Sequence, residues 1–92
     1  MVTAIVLINA RRTLIGETAQ ALVNLNGISE VYSVAGEYDL IAIIRVRTNE
    51  EMAEVITNSL LKLEGIEKTT TLIAFRAYSR HDLESMFSLG MQ

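Results

Sequence analysis

Leu25-Asn26-Gly27-Ile28 recurs thirty-eight residues later as Leu63-Glu64-Gly65-Ile66, and this echo divides the chain into two similar halves. Each copy follows a stretch with helical spacing and precedes one dense in strand formers. Ile15, Ala19, Leu22 and Val23 share a helical face before the first copy; Met52, Val55, Ile56, Leu60 and Leu63 do so before the second. The glycine is expected at the C′ position of a helix, with the isoleucine after it opening a strand. Thr48-Asn49-Glu50-Glu51 reads as a capping box, Thr48 taking the Glu51 amide while Glu51 reaches back.

Reading outward, the elements are β1 (2–10), α1 (14–24), β2 (28–35), β3 (38–47), α2 (50–63) and β4 (66–79). With right-handed crossovers, this order predicts an α+β, ferredoxin-like βαββαβ fold. It is an antiparallel four-stranded sheet with two helices on one face, β1 and β3 in the middle. The residues agree. Val2, Ala4, Val6 and Ile8 back onto Ile5 and Leu7 in β1, and Leu40, Ala42, Ile44 and Val46 onto Ile41 and Ile43 in β3. The expected outer strands carry the polar residues: Ser29, Glu30 and Ser33 in β2, Glu67 to Thr71 in β4. Two helices cover one face only, so the other apolar face needs a second copy, giving a dimeric α/β barrel.

The 92 residues fit one domain at 1–80 with a C-terminal helical tail at 81–92. Half the residues are apolar, and a domain this small buries only roughly 65 % of its unfolded surface alone, which again favours an oligomer. Eight Lys and Arg against eleven Asp and Glu give a net charge of −3 without a basic run, so the footprint of a nucleic-acid binder is missing. There is no cysteine, hence no disulfide or thiolate chemistry. The first apolar run is too short to span a membrane and lacks the basic start of a signal peptide, so a cytoplasmic protein is expected.

The catalytic inventory is thin. His81 is the only histidine, too few for a metal site, and reads as a solvated or capping residue. Asn9 to Leu14 holds no glycine, so no phosphate loop joins β1 to α1. Arg45 shares a strand face with Ile41 and Ile43, where an arginine pairs with a carboxylate or binds an anionic ligand. No cofactor is implied, and the chain reads as non-enzymatic.

Between β2 and β3 stands Ala35-Gly36-Glu37-Tyr38-Asp39. Gly36 suits a tight turn, but strands deplete aspartate, so Asp39 needs a further reason. In one reading Asp39 or Glu37 caps an amide of the hairpin. In the other, the turn recognises a small zwitterion: the amides of Gly36 and Glu37 hold a carboxylate, Asp39 accepts from an ammonium, and Tyr38 walls the pocket.

The βαββαβ order, the paired Gly-Ile starts, the Gly36-Glu37-Tyr38-Asp39 turn and the Thr71-Leu72-Ile73 strand together resemble the effector domain of the leucine-responsive/asparagine regulator (Lrp/AsnC) family, the RAM domain, over nearly all of residues 1–80. The resemblance implies an amino-acid-binding module linked to transcription regulation, with dimers assembling into an octamer or similar ring and effectors between dimers near the β2–β3 turn. Carried over, Ala35, Gly36, Glu37, Tyr38 and Asp39 are the ligand-binding candidates. Full-length members add an N-terminal helix-turn-helix; with β1 starting at Val2, a stand-alone form is expected. Its partners would be an amino acid, other copies of itself and a full-length Lrp/AsnC regulator, without direct DNA or membrane binding. Two alternatives share the topology: a dimeric α/β barrel enzyme of the small monooxygenase or haem-handling type, which the absence of Trp disfavours, and an ACT-type amino-acid sensor, whose Pro-Gly turn is replaced here by Arg11-Arg12-Thr13-Leu14.

Overall fold

The computed structural model describes residues 1–80; the expected tail, with His81, lies outside them. The strands are β1 (Val2–Ala10), β2 (Ile28–Ser33), β3 (Leu40–Val46) and β4 (Ile66–Ala74), and the first helix is α1 (Ile15–Val23), entered through a 3-10 turn at Arg12–Leu14. The sheet order is β2-β3-β1-β4 with every pair antiparallel, the arrangement expected from the element order and from the two strands apolar on both faces.

The central pair fixes the core. β1 and β3 run in unbroken register from Val2 opposite Val46 to Ile8 opposite Leu40. Because side chains alternate along a strand, Ala4, Val6, Ile8, Leu40, Ala42 and Ile44 point together towards the helices, all fully buried. Leu22 of α1 and Met52, Val55 and Leu60 of the second helical stretch close over them. The opposite face carries the rows Glu30–Ile43–Ile5–Leu72 and Tyr32–Ile41–Leu7–Thr70, with no element among the described residues above them. Ile5, Leu7, Ile41 and Ile43 there are half-buried by one another, and Leu72 is 49% exposed.

The repeat survives as a hydrogen-bond pattern. Leu25 donates its amide to Leu22 and Ile28 donates to Leu25; thirty-eight residues on, Leu63 donates to Leu60 and Ile66 to Leu63. The glycines therefore occupy the third position of a Leu-x-Gly-Ile turn, beyond the helix rather than at its C′ residue. Gly27 needs its freedom doubly. Its φ is +95°, and a Cβ there would lie 2.7 Å from Val55 Cγ2 and 3.0 Å from Val46 Cγ1.

Several boundaries differ from the sequence expectation, each for a local reason. β4 ends at Ala74, opposite Thr3, rather than at 79, one residue short of the start of β1 at Val2. β2 and β3 each lose two residues to the turn between them, where Val34 donates to the Asp39 carbonyl. The second helix is α-helical only over α2 (Asn49–Ala53); it continues as a π-helical segment at Glu54–Ser59 and closes in a 3-10 turn at Leu60–Lys62. Thr48 caps it as expected, accepting from the Glu51 amide at 3.1 Å, but Glu51 reaches one residue further back, to the Arg47 amide at 2.9 Å. Gly27→Ala is expected to cost about 2 kcal/mol, combining positive-φ strain with displacement of Val55, as read by urea unfolding at constant m-value.

Candidate functional site

Three strand ends meet where β1 leaves the sheet. Asp39 donates its amide to the Ile8 carbonyl at 2.9 Å, and Asp39 Oδ2 accepts from the Ala10 amide at 2.9 Å. One residue later, Arg11 donates its amide to the Gly65 carbonyl at 2.7 Å. The last amide of a central strand otherwise points past the start of its partner, since β3 begins at Leu40 opposite Ile8. A buried or half-buried N–H must be paired, and the Asp39 carboxylate supplies the missing rung through a charge-assisted bond.

This places each candidate ligand residue. Ala35, Gly36 and Glu37 form the exposed crest of the β2–β3 turn, and Tyr38 and Asp39 are half-buried on its descending limb. Gly36 has a φ of +137°, which only glycine adopts without strain, and no atom lies within 4 Å of where its Cβ would be. The crest is open space. The hairpin reading of Asp39 holds in part: its carboxylate does cap an amide, but one twenty-nine residues away in β1 rather than in the hairpin itself. Its bond to Ala10 occupies only part of the acceptor capacity of a carboxylate, about four lone-pair sites.

Two further groupings escaped the sequence reading. The first lies on the open sheet face. Arg45 Nη1 donates to Ser29 Oγ at 2.7 Å and to Glu30 Oε1 at 3.2 Å, while the Tyr32 hydroxyl donates to Glu30 Oε2 at 2.6 Å. A register shift between Ile28 and Glu30 brings Ser29 and Glu30 together beside Arg45. Alternation alone put Arg45 on this face; its partner depended on the bulge. The Tyr32 hydroxyl, and secondly Arg45, hold the Glu30 carboxyl below its ordinary range, and the bond to Glu30 pushes the Tyr32 phenol up. The second grouping is a cavity at the far end of the sheet, lined by Gly27, Arg47, Glu54 and their neighbours. No periodicity signals it, because its residues come from separate parts of the chain: the α1–β2 connection, the end of β3 and the second helix. Among the described residues no three His, Cys, Asp or Glu side chains cluster as a metal would require, and no helix is long and apolar enough to cross a membrane.

The fold matches a known domain. A family model described as the Lrp/AsnC ligand binding domain matches residues 3–83. The chain belongs to the Lrp/AsnC family. TTHA0845 of Thermus thermophilus, a solved structure, is 48% identical with a TM-score of 0.81, the match covering 87% of this chain and 100% of that one. The HTH-type transcriptional regulator PF1734 of Pyrococcus furiosus is 38% identical over 72 residues, 78% of this chain and 48% of the relative. The transcriptional regulator NMB0573 of Neisseria meningitidis, solved as a complex with L-Met, shares the fold with a TM-score of 0.76 at 11% identity, over 86% of this chain and 53% of that one. The chain spans about half or less of the length of the curated relatives it matches, from 39% to 50%. Those relatives are HTH-type transcriptional regulators, and the matched part is the ligand-binding domain of the family.

Two expectations follow from this geometry. Asp39→Ala strips the Ala10 amide of its partner and should cost about 1–2 kcal/mol, whereas Asp39→Asn keeps an acceptor oxygen and should cost clearly less, as thermal melts will show. Glu30 with a depressed pKa contributes stability above the ordinary glutamate range and loses it as pH falls through its folded-state value. Tyr32→Phe should therefore move the Glu30 titration upward and narrow that acid-side loss, read by carboxyl carbon NMR across an acid titration.

Proposed function

We propose that this chain is a non-enzymatic amino-acid effector-binding and oligomerisation module of transcription regulation. The turn at Ala35, Gly36, Glu37, Tyr38 and Asp39 holds the effector. The observation that carries the reading is the form of that turn. A glycine crest surrounded by open space stands beside a carboxylate whose backbone and side chain are both tied to β1, so the carboxylate is held in place while its approach stays free. A fixed anion with acceptor capacity to spare suits an ammonium group, and the exposed amides at the crest suit the carboxylate of the same molecule. The family supports the class of ligand, and a protein of the same fold was solved with L-Met. TTHA0845 is matched along the whole of its solved chain, so the module forms the same fold there.

The open sheet face supports self-association. Its central rows are aliphatic, no element among the described residues covers them, and the Glu30–Tyr32–Arg45 cluster gives the patch a polar rim, as protein interfaces have. A second copy packed sheet to sheet completes a dimeric α/β barrel, and such dimers, joined near their β2–β3 turns, build an octamer or similar ring. In this reading the module acts on a full-length Lrp/AsnC regulator by entering its assembly.

Calorimetric titration with each of the twenty L-amino acids tests the ligand. Asp39→Asn, which spares the Ala10 bond, is expected to weaken the bound amino acid at least tenfold, about 1.4 kcal/mol; an unchanged affinity removes Asp39 from the site. Sedimentation tests the interface: the wild type should run as a dimer or larger at micromolar concentration, and Ile5→Lys, at the centre of the open face, as a monomer. A monomeric wild type would sink the sheet-to-sheet pairing.

A further inference from the structure

At the end of the sheet where β1 begins and β4 stops, the chain runs on as Phe75-Arg76-Ala77-Tyr78-Ser79-Arg80, every residue of it exposed. Phe75 is fully exposed and Tyr78 is 74% exposed. We propose that this segment is an arm that packs on a second copy of the chain along the edge of its β2 strand, with Phe75 and Tyr78 as apolar anchors and Arg76 paired with Glu30 of the partner subunit. The arm rests on the sheet-to-sheet pairing proposed above and closes that pairing at its edges.

Strand register fixes the direction in which the arm leaves. Ala74 stands opposite Thr3, and Thr3 opposite Arg45. By alternation these three share the open face with Ile5 and Ile43. Residues 74–77 border a recess of about 200 Å³ together with Thr3 and Arg45. The chain therefore departs beside the open face, not beside the helices. Among the described residues the Arg76 guanidinium makes no ion pair or hydrogen bond. Large exposed apolar side chains mark interaction sites, and aromatics grouped with an arginine are the composition of the energetic centre of a protein interface.

Two sheets packed face to face leave the β4 and β2 edges of each copy to be closed. β4 is unguarded, since Thr69 to Phe75 holds no charge and no proline, the devices that keep an edge from pairing. Charge selects its counterpart. β4 with its arm is net positive, through Lys68 and Arg76 against Glu67, while the only charge in β2 is Glu30. Glu30 lies towards the same end of the sheet as the arm, bonded to Arg45. A two-fold axis parallel to the strands thus brings each arm to the β2 strand of the other copy, and both junctions are alike. The Glu30 carboxylate has room for a further donor. Arg45 and Tyr32 take one bond at each oxygen, and a carboxylate offers about four acceptor sites.

Sedimentation equilibrium on the full chain tests the arm. Phe75→Ala and Tyr78→Ala are each expected to weaken the dimer about tenfold or more, with the fold kept because both side chains are exposed in a single copy. The chain has no cysteine, so introduced ones report contact directly. Glu30 and Arg76 lie off opposite edges of one sheet, about 14 Å apart across three strand spacings, beyond the reach of a disulfide within a copy. Glu30→Cys combined with Arg76→Cys is expected to give a covalent dimer on oxidation that neither single variant gives. Glu37→Cys combined with Arg76→Cys should not give it, Glu37 being at the far end of the sheet. Wild-type affinity in both alanine variants overturns the arm, while a dimer that Ile5→Lys still breaks keeps the sheet-to-sheet pairing. Weakening without the crosslink overturns the seat on β2. A monomeric wild type overturns arm and pairing together.

Discussion

Everything in this domain follows from a pair of central strands that are apolar on both faces. Ala4 opposite Ile44 and Val6 opposite Ala42 look one way; Ile5 opposite Ile43 and Leu7 opposite Ile41 look the other. Apolar burial is the main favourable term in folding, so a strand pair of this kind cannot sit at an edge or face water on either side. The more polar β2 and β4 flank it, and the helices take one face. Among the described residues no element is then left for the other. That shortage, rather than any single contact, is what makes a second copy the natural complement of the fold.

The same central pair creates the need that Asp39 meets. β1 runs two residues past the point where β3 begins, so the Ala10 amide would lack a partner. A carboxylate at the residue before β3 is the shortest way to pair it. An aspartate at a strand mouth, odd by propensity, is thus first of all a structural group. In the proposed site, the same carboxylate, fixed at a glycine-crested, open turn, would also receive the ligand. The conservative amide replacement separates the structural part from that proposed one.

The two ends of the sheet were unequally legible. The turn end is a contiguous stretch, and its oddities, a glycine and an acid between apolar runs, stand out in one dimension. The far end is built from Gly27, Val46, Arg47, Glu54 and Val55, brought together by the crossovers, and nothing in their spacing announces them. The Arg45–Glu30–Tyr32 cluster lies between these cases. Alternation placed Arg45 on the open face, but the partner depended on a bulge that shifts register by one residue, which no period-2 pattern reports.

The sequence by itself determined the element order, the central position of β1 and β3, the faces of the core and the repeated Leu-x-Gly-Ile turn, because these rest on periodicity and on short-range hydrogen bonding. Only the tertiary structure decided where strands stop, since a strand lasts only as long as its pairing and β4 pairs no further than Ala74 opposite Thr3. It alone decided the π-helical course of Glu54–Ser59, which no local residue forces, and the pairing of Asp39 with an amide twenty-nine residues away. Such features depend on which strand ends and connections the packing brings side by side, and that information is not local to any stretch of chain.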